Sequence, residues 1–126
     1  MNRRWLALAV GPGTDVVLPL ENVDRLVHGT ERAFESLSAA ASDIGSVLGC
    51  EGRGRRAPGV LVVLSDGSAW TAEDLVPPDR LEGCRYLSVP ADLVEGPRPW
   101  CRGLLAGPRG RFFIVEPGAL AGEGSP

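Results

Sequence analysis

The chain is built from short apolar runs, each stopped by glycine, proline or an Asp-Gly pair. WLALAV (5–10) runs into GPGTD and is followed by VVLPLENVDRLV (16–27). GVLVVL (59–64) runs into Ser65-Asp66-Gly67 and is answered by SAWTAEDLV (68–76). CRYLSVPADLV (84–94) reads as a broken strand, and WCRGLLAGPRGRFFIVEPGAL (100–120) as strand, tight turn and strand. Runs of this length, at this spacing and with these turn residues, are the pattern of antiparallel hairpins. Their succession points to small β-barrels and not to a sheet built from βαβ units. Pro19 donates no ladder hydrogen bond, so an edge position or a bulge is expected there. GRGRR with its flanks (51–59) and PPDRLEG (77–83) read as loops.

One stretch breaks the pattern. After His28-Gly29, Thr30 can cap a helix, and Phe34, Leu37, Ala41, Ile44 and Leu48 recur at spacings of three and four. This predicts one helix over 31–48, with Gly49 as its C-terminal stop and with Leu37 and Ile44 buried. The apolar stripe could serve a partner, but such a stripe more often lies on its own core.

Composition narrows the function. The 126 residues suit one domain, or two half-size subdomains sharing a core, and 44% hydrophobic with 23% charged residues is a globular balance. Net charge is −3 and all 13 basic residues are arginine, the mark of a GC-rich codon preference rather than of phosphate chemistry. Nonspecific binding to nucleic acid or to an anionic membrane is disfavoured. No run approaches the ~20 apolar residues of a bilayer span. MNRRWLALAVGPG imitates a secretory leader, but its apolar core is short and turns directly into another strand. Cys50, Cys84 and Cys101 are odd in number and lack CxxC spacing, so neither a disulfide framework nor a zinc site is indicated. A reduced, cytoplasmic protein is expected.

Reactive groups are few. His28 is the single histidine, and it has no nucleophile in its sequence context. A turn histidine accounts for it better than a small hydrolase does. Glu73 and Asp74 are adjacent, so in a strand they point to opposite faces and do not converge as acid and base. GRGRR (52–56) has neither the lysine of a phosphate loop nor aromatics for base stacking. No catalytic residue, cofactor or metal is expected.

The order of motifs resembles that of the CheW-like domain of bacterial chemotaxis adaptors, which also forms the regulatory domain of the associated histidine kinase. VVLPLENVDRLV is similar to the family's second-strand pattern, with Arg25 at a position usually acidic. ASDIGSVLG resembles the segment closing its first half. GVLVVLSDGSAWTAEDLV resembles the hairpin opening the second, and YLSVPADL its proline-bearing segment. WCRGLLAGPRGRFFIVEPGAL resembles the final strand pair, with Gly103 and the closing Leu120 in place. VHGTERAFESLSAAAS (27–42) stands where the family has a proline loop, a strand and an Arg-Gly hairpin.

The resemblance implies a mainly β fold with one helix, a double SH3-like β-barrel whose first barrel is abbreviated. A single domain would span 1–121, with a first subdomain over 1–50, a second barrel over 59–121 and a frayed tail over 122–126. It implies a non-enzymatic adaptor in a bacterial chemosensory array. The partners would be the cytoplasmic tip of a chemoreceptor, held in the groove between barrels, and a CheA-type histidine kinase regulatory domain, with no nucleic acid and no membrane insertion. Leu20, Val23, Arg25 and Leu26 on the first barrel, with Arg102 and Leu104 on the second, are the candidate contacts. A related module redirected to a different partner, such as a motility regulator, is the alternative.

The last hairpin carries a separate expectation. Alternation puts Phe112 and Ile114 on one face and Phe113 and Val115 on the other. One face should be core and the other spare for docking, with Arg109 and Arg111 exposed around the turn.

Overall fold

The structure is a computed structural model describing residues 4–11, 13–48, 57–88 and 101–115, without the side chains of Cys101 and Arg102. The strands are β1 (Trp5–Gly11), β2 (Thr14–Pro19), β3 (Val23–His28), β4 (Ser42–Asp43), β5 (Val60–Leu64), β6 (Ala69–Ala72), β7 (Asp74–Leu75), β8 (Arg85–Ser88), β9 (Cys101–Gly107) and β10 (Gly110–Val115). Two short helices, α1 (Arg32–Ser38) and α2 (Ile44–Val47), flank β4. The strands form a six-stranded sheet in the order β7-β1-β2-β10-β9-β8 and a four-stranded sheet in the order β3-β5-β6-β4.

The hairpins β1–β2, β5–β6 and β9–β10 stand where the turn residues place them. At the middle one, Asp66 Oδ1 accepts from the Ser68 amide (2.9 Å) and hydroxyl (2.6 Å), while Gly67 takes φ +90°. That conformation favours glycine. The Ser68 contacts, the hydroxyl first, hold the Asp66 carboxyl below its ordinary pKa.

Two runs expected to be single strands each divide between the sheets. In VVLPLENVDRLV, β2 ends at Pro19, a 3-10 turn covers Leu20–Asn22, and β3 then joins the other sheet. Pro19 lies at the last position of a central strand, where a missing N–H does least damage to the ladder. In SAWTAEDLV, β6 passes through Glu73, whose amide donates to the Ala9 carbonyl (2.9 Å), into β7 beside β1. The smaller sheet therefore takes its strands from 23–72, and the larger takes its strands from the two sides of that stretch.

The single helix over 31–48 is corrected. α1 stops at Ser38, Ser42 and Asp43 pair in parallel with Trp70 and Thr71, and α2 begins at Ile44. Asp43 causes the break. One carboxylate oxygen caps α2 by accepting from the Ser46 amide (3.0 Å), and the other accepts from the hydroxyl of Thr71 (3.0 Å), a buried polar residue. A cap and a buried hydrogen bond outweigh continuation of the helical stripe. Thr30 is not the cap of α1. That position is Glu31, whose carboxylate accepts from the His28 amide (2.6 Å). Ile44 is fully buried as expected, whereas Leu37 is only half-buried. The expected stop at Gly49 and the GRGRR loop lie outside the described residues, and PPDRLEG contains a 3-10 turn, Pro78–Leu81.

Two cores result. The first lies between the sheets and joins Leu8, Val10, Val16, Leu18 and Val115 to Ile44, Val60, Val62, Leu64 and Trp70. The second lies on the opposite face of the six-stranded sheet, with Ala7, Val17, Val76, Leu105, Phe112 and Ile114. β2 sits between them, which explains why Val16, Val17 and Leu18 form an unbroken apolar run instead of an alternating one. β10 is used in the same way, so the expected spare face of the last hairpin is corrected. Phe112 and Ile114 are buried in the second core, while Val115 is buried in the first and Phe113 packs against it half-exposed.

Candidate partner-binding surface

Strand register builds a row of apolar side chains across the whole larger sheet. Leu75 pairs with Leu8, Leu8 with Val16, Val16 with Phe113, Phe113 with Leu104, and Leu104 with Leu87. Side chains at paired positions share a face. Leu8 and Val16 are sealed under the smaller sheet, Phe113 and Leu104 are half-buried, and Leu87 is 49% exposed. The row therefore begins in the inter-sheet core and runs out of it toward β8.

Val23 and Leu26 lie on β3, an edge of the smaller sheet, and pack half-buried against that same core, as Phe113 does. Five of the six candidate contacts thus keep some apolar or polar surface open. Leu20 is 38% exposed in the 3-10 turn, Val23 and Leu26 border the core, and Arg25 is exposed on β3. Leu104, the fifth, is the cross-strand neighbour of Phe113. Arg102 lies on β9, and its side chain is outside the described residues.

Sequence reasoning missed Tyr86 and Leu87, two of the large apolar residues most open to solvent. A Cβ at Gly103 would stand 2.9 Å from the Leu87 carbonyl oxygen and 3.2 Å from the Tyr86 ring. Gly103 is therefore the residue that lets the Tyr86 ring lie against β9. The glycine was legible in the sequence, but what crosses it depends on the β8–β9 register.

Among the described residues the second core is covered by a strap, residues 76–84. Leu81 and Cys84 pack on it, and the Arg80 guanidinium lies 5.8 Å from the centre of the Phe112 ring. Arg80 also donates to the Arg109 carbonyl (3.3 Å) and stands 3.6 Å from Asp15. Arg109 returns the contact, donating to the carboxylate of Asp79 at 3.0 Å and to its carbonyl at 3.3 Å. Arg109 and Arg111 are both exposed, as expected, although Arg109 is an ion-pair partner as well as a solvated group. A cleft of about 430 Å³ opens beside the strap, lined by Gly11, Gly13, Asp15, Glu73, Asp74 and Arg80 among others. Burial pushes the Asp15 carboxyl above its ordinary pKa, and the charge of Arg80 opposes the shift.

The reactive candidates do not assemble into a site among the described residues. His28 is exposed at the end of β3, and its described hydrogen bonds run through its backbone. Glu73 lies at the crossing between sheets, and the exposed Asp74 accepts from the Leu75 amide (2.8 Å). Cys84 is a half-buried free thiol. The described residues contain no group of three or more His, Cys, Asp or Glu side chains placed to hold a metal, and no helix long and apolar enough to cross a membrane.

No family model and no curated protein sequence matches the chain. Its structure, however, is similar to the crystal structure of the scaffolding protein TtCheW from Thermoanaerobacter tengcongensis, with a TM-score of 0.60 and 9% sequence identity. The similarity covers 91% of this chain and 89% of that one. The chain has the CheW-like fold, mainly β and of SH3-like type.

Proposed function

We propose that the chain is a non-enzymatic adaptor of a bacterial chemosensory system, binding a chemoreceptor tip, a CheA-type kinase regulatory domain, or both. The observation that carries this reading is the likeness of fold to a scaffolding protein over nearly the full length of both chains. The open apolar rim where the two sheets meet is consistent with it, because an interface needs an apolar centre with a polar edge and no reactive group.

In this proposal Val23, Leu26 and Leu104 supply apolar contact, while Leu20, Arg25 and Arg102 supply the edge. Leu26 and Leu104 are each half-buried, so changing them to polar residues should weaken binding more than it disturbs folding. The test is a binding titration of the purified chain against a receptor cytoplasmic fragment and, separately, a kinase regulatory domain from the same genome. Saturable binding to at least one, weakened by Leu104→Ser and Leu26→Ser and unchanged by His28→Ala, supports the adaptor. Binding to neither overturns it. Loss of cellular function in a folded His28→Ala variant would instead revive a hydrolase.

A further inference from the structure

Among the described residues each sheet has two edges, and three of the four are blunted. β7 and β4 are two residues long, and β3 has a register shift between Val23 and Arg25 with charged Asp24 and Arg25 facing solvent. Short edges, irregular pairing and edge charges are the devices by which sheets avoid adding strands. β8 differs. It pairs regularly with β9 over four residues, contains no proline, and exposes all of Arg85, Tyr86, Leu87 and Ser88. Among the described residues nothing pairs with its outer side.

We infer that β8 is a self-association edge, at which a second copy of this chain adds its own β8 antiparallel about a twofold axis at Leu87. Such an axis, perpendicular to the sheet, keeps the faces of the two copies aligned and pairs a residue with its own counterpart. At Leu87 it continues the apolar row without a break, from Leu104 and Leu87 of one copy to Leu87 and Leu104 of the other. Tyr86 then stands opposite Ser88 on the other face, a small residue beside a large ring. Charge selects this register over its neighbour at position 85, which would set two guanidinium groups directly opposite each other. With the axis at Leu87, the two Arg85 positions lie four residues apart along the strands, about 13 Å, beyond the screening length at physiological salt. An acidic chain with net charge −3 thereby meets its copy at a local edge whose described charge is a single outlying arginine.

The test combines mass with a position-specific cross-link. Sedimentation equilibrium of the parent chain should show mass rising with concentration toward twice the monomer. Leu87→Arg, on an exposed side chain, should match the parent's melting temperature at concentrations where the parent is monomeric, and lose the dimer. Under mild oxidation Leu87→Cys should give a covalent dimer whose cross-linked peptide joins position 87 to position 87, whereas Tyr86→Cys should not self-link. A parent that stays monomeric up to millimolar concentration overturns the proposal. So does a dimer that survives Leu87→Arg, or one that cross-links as well through position 86. These outcomes are independent of receptor or kinase binding.

Discussion

The two cores of this chain are closed in different ways. The inter-sheet core is sealed by strands on both sides, with distant segments of the chain meeting in it, from Leu8 and Val16 to Ile44, Val60 and Val115. The core on the outer face of the larger sheet is sealed, among the described residues, by the strap carrying Val76, Leu81 and Cys84, and the strap is fastened by Arg80 and Arg109. Strands that pair on two sides cannot lift away singly. The strap can, because its fastenings are half-exposed ion pairs and hydrogen bonds, each worth at most about 1 kcal/mol. The difference teaches that apolar burial decides stability here, while the polar contacts decide how the covering segment is placed.

The largest effect should come from charging the inter-sheet core. Ile44→Asp puts a carboxylate where the side chain is fully buried, at a cost of several kcal/mol or a large pKa shift, and should abolish cooperative melting. Leu37→Asp, half-buried on α1, should remain folded with a lowered melting temperature. If both unfold alike, α1 is as deep in the core as α2 and the distinction between them fails.

The second test sets the two phenylalanines of β10 against each other. Phe112 is fully buried, so Phe112→Ala should cost about 3–5 kcal/mol. Phe113 is half-exposed at the rim, and Phe113→Ala should cost less than half of that and also weaken partner binding. Equal melting curves for the two variants would mean that β10 does not divide its faces between two cores.

The smallest effect concerns the strap and has a definite sign with pH. Asp15 has its pKa raised in the folded state by burial, so the folded chain holds this proton to higher pH than the unfolded chain does. The parent therefore loses stability as pH rises from the ordinary carboxylate value through the folded one, and Asp15→Asn does not. The melting temperature of Asp15→Asn should match the parent's well below the ordinary carboxylate pKa and move above it as the pH rises through the raised one. A variant that falls below the parent at the higher pH would show that attraction to Arg80 outweighs burial.

The sequence made the hairpins legible because strand, turn and glycine signals are local. Asp66-Gly67 and the Gly107–Gly110 turn each lie where a few adjacent residues require them. It did not reveal that one apolar run can serve two sheets, since nothing in VVLPLENVDRLV or SAWTAEDLV marks the crossing except Pro19 and Glu73. The broken helix was hidden for a similar reason. Helical spacing persists through Asp43, and only the hydrogen bond from Thr71, 28 residues later, reveals why the chain turns there. Val23, Leu26 and Leu104 are contacts proposed from the family resemblance, whereas Leu87 became visible only when strand register joined it to Leu104 and Phe113.

The most direct measurement is an NMR titration of labelled chain with a receptor cytoplasmic fragment, following the amides and methyl groups of both cores. An adaptor that binds at the meeting of the sheets should show saturating shifts at Val23, Leu26, Leu104 and Phe113, with the strap residues Leu81 and Cys84 unmoved. Shifts confined to the strap and its cleft, or no shifts with either the receptor or the kinase domain, would contradict it.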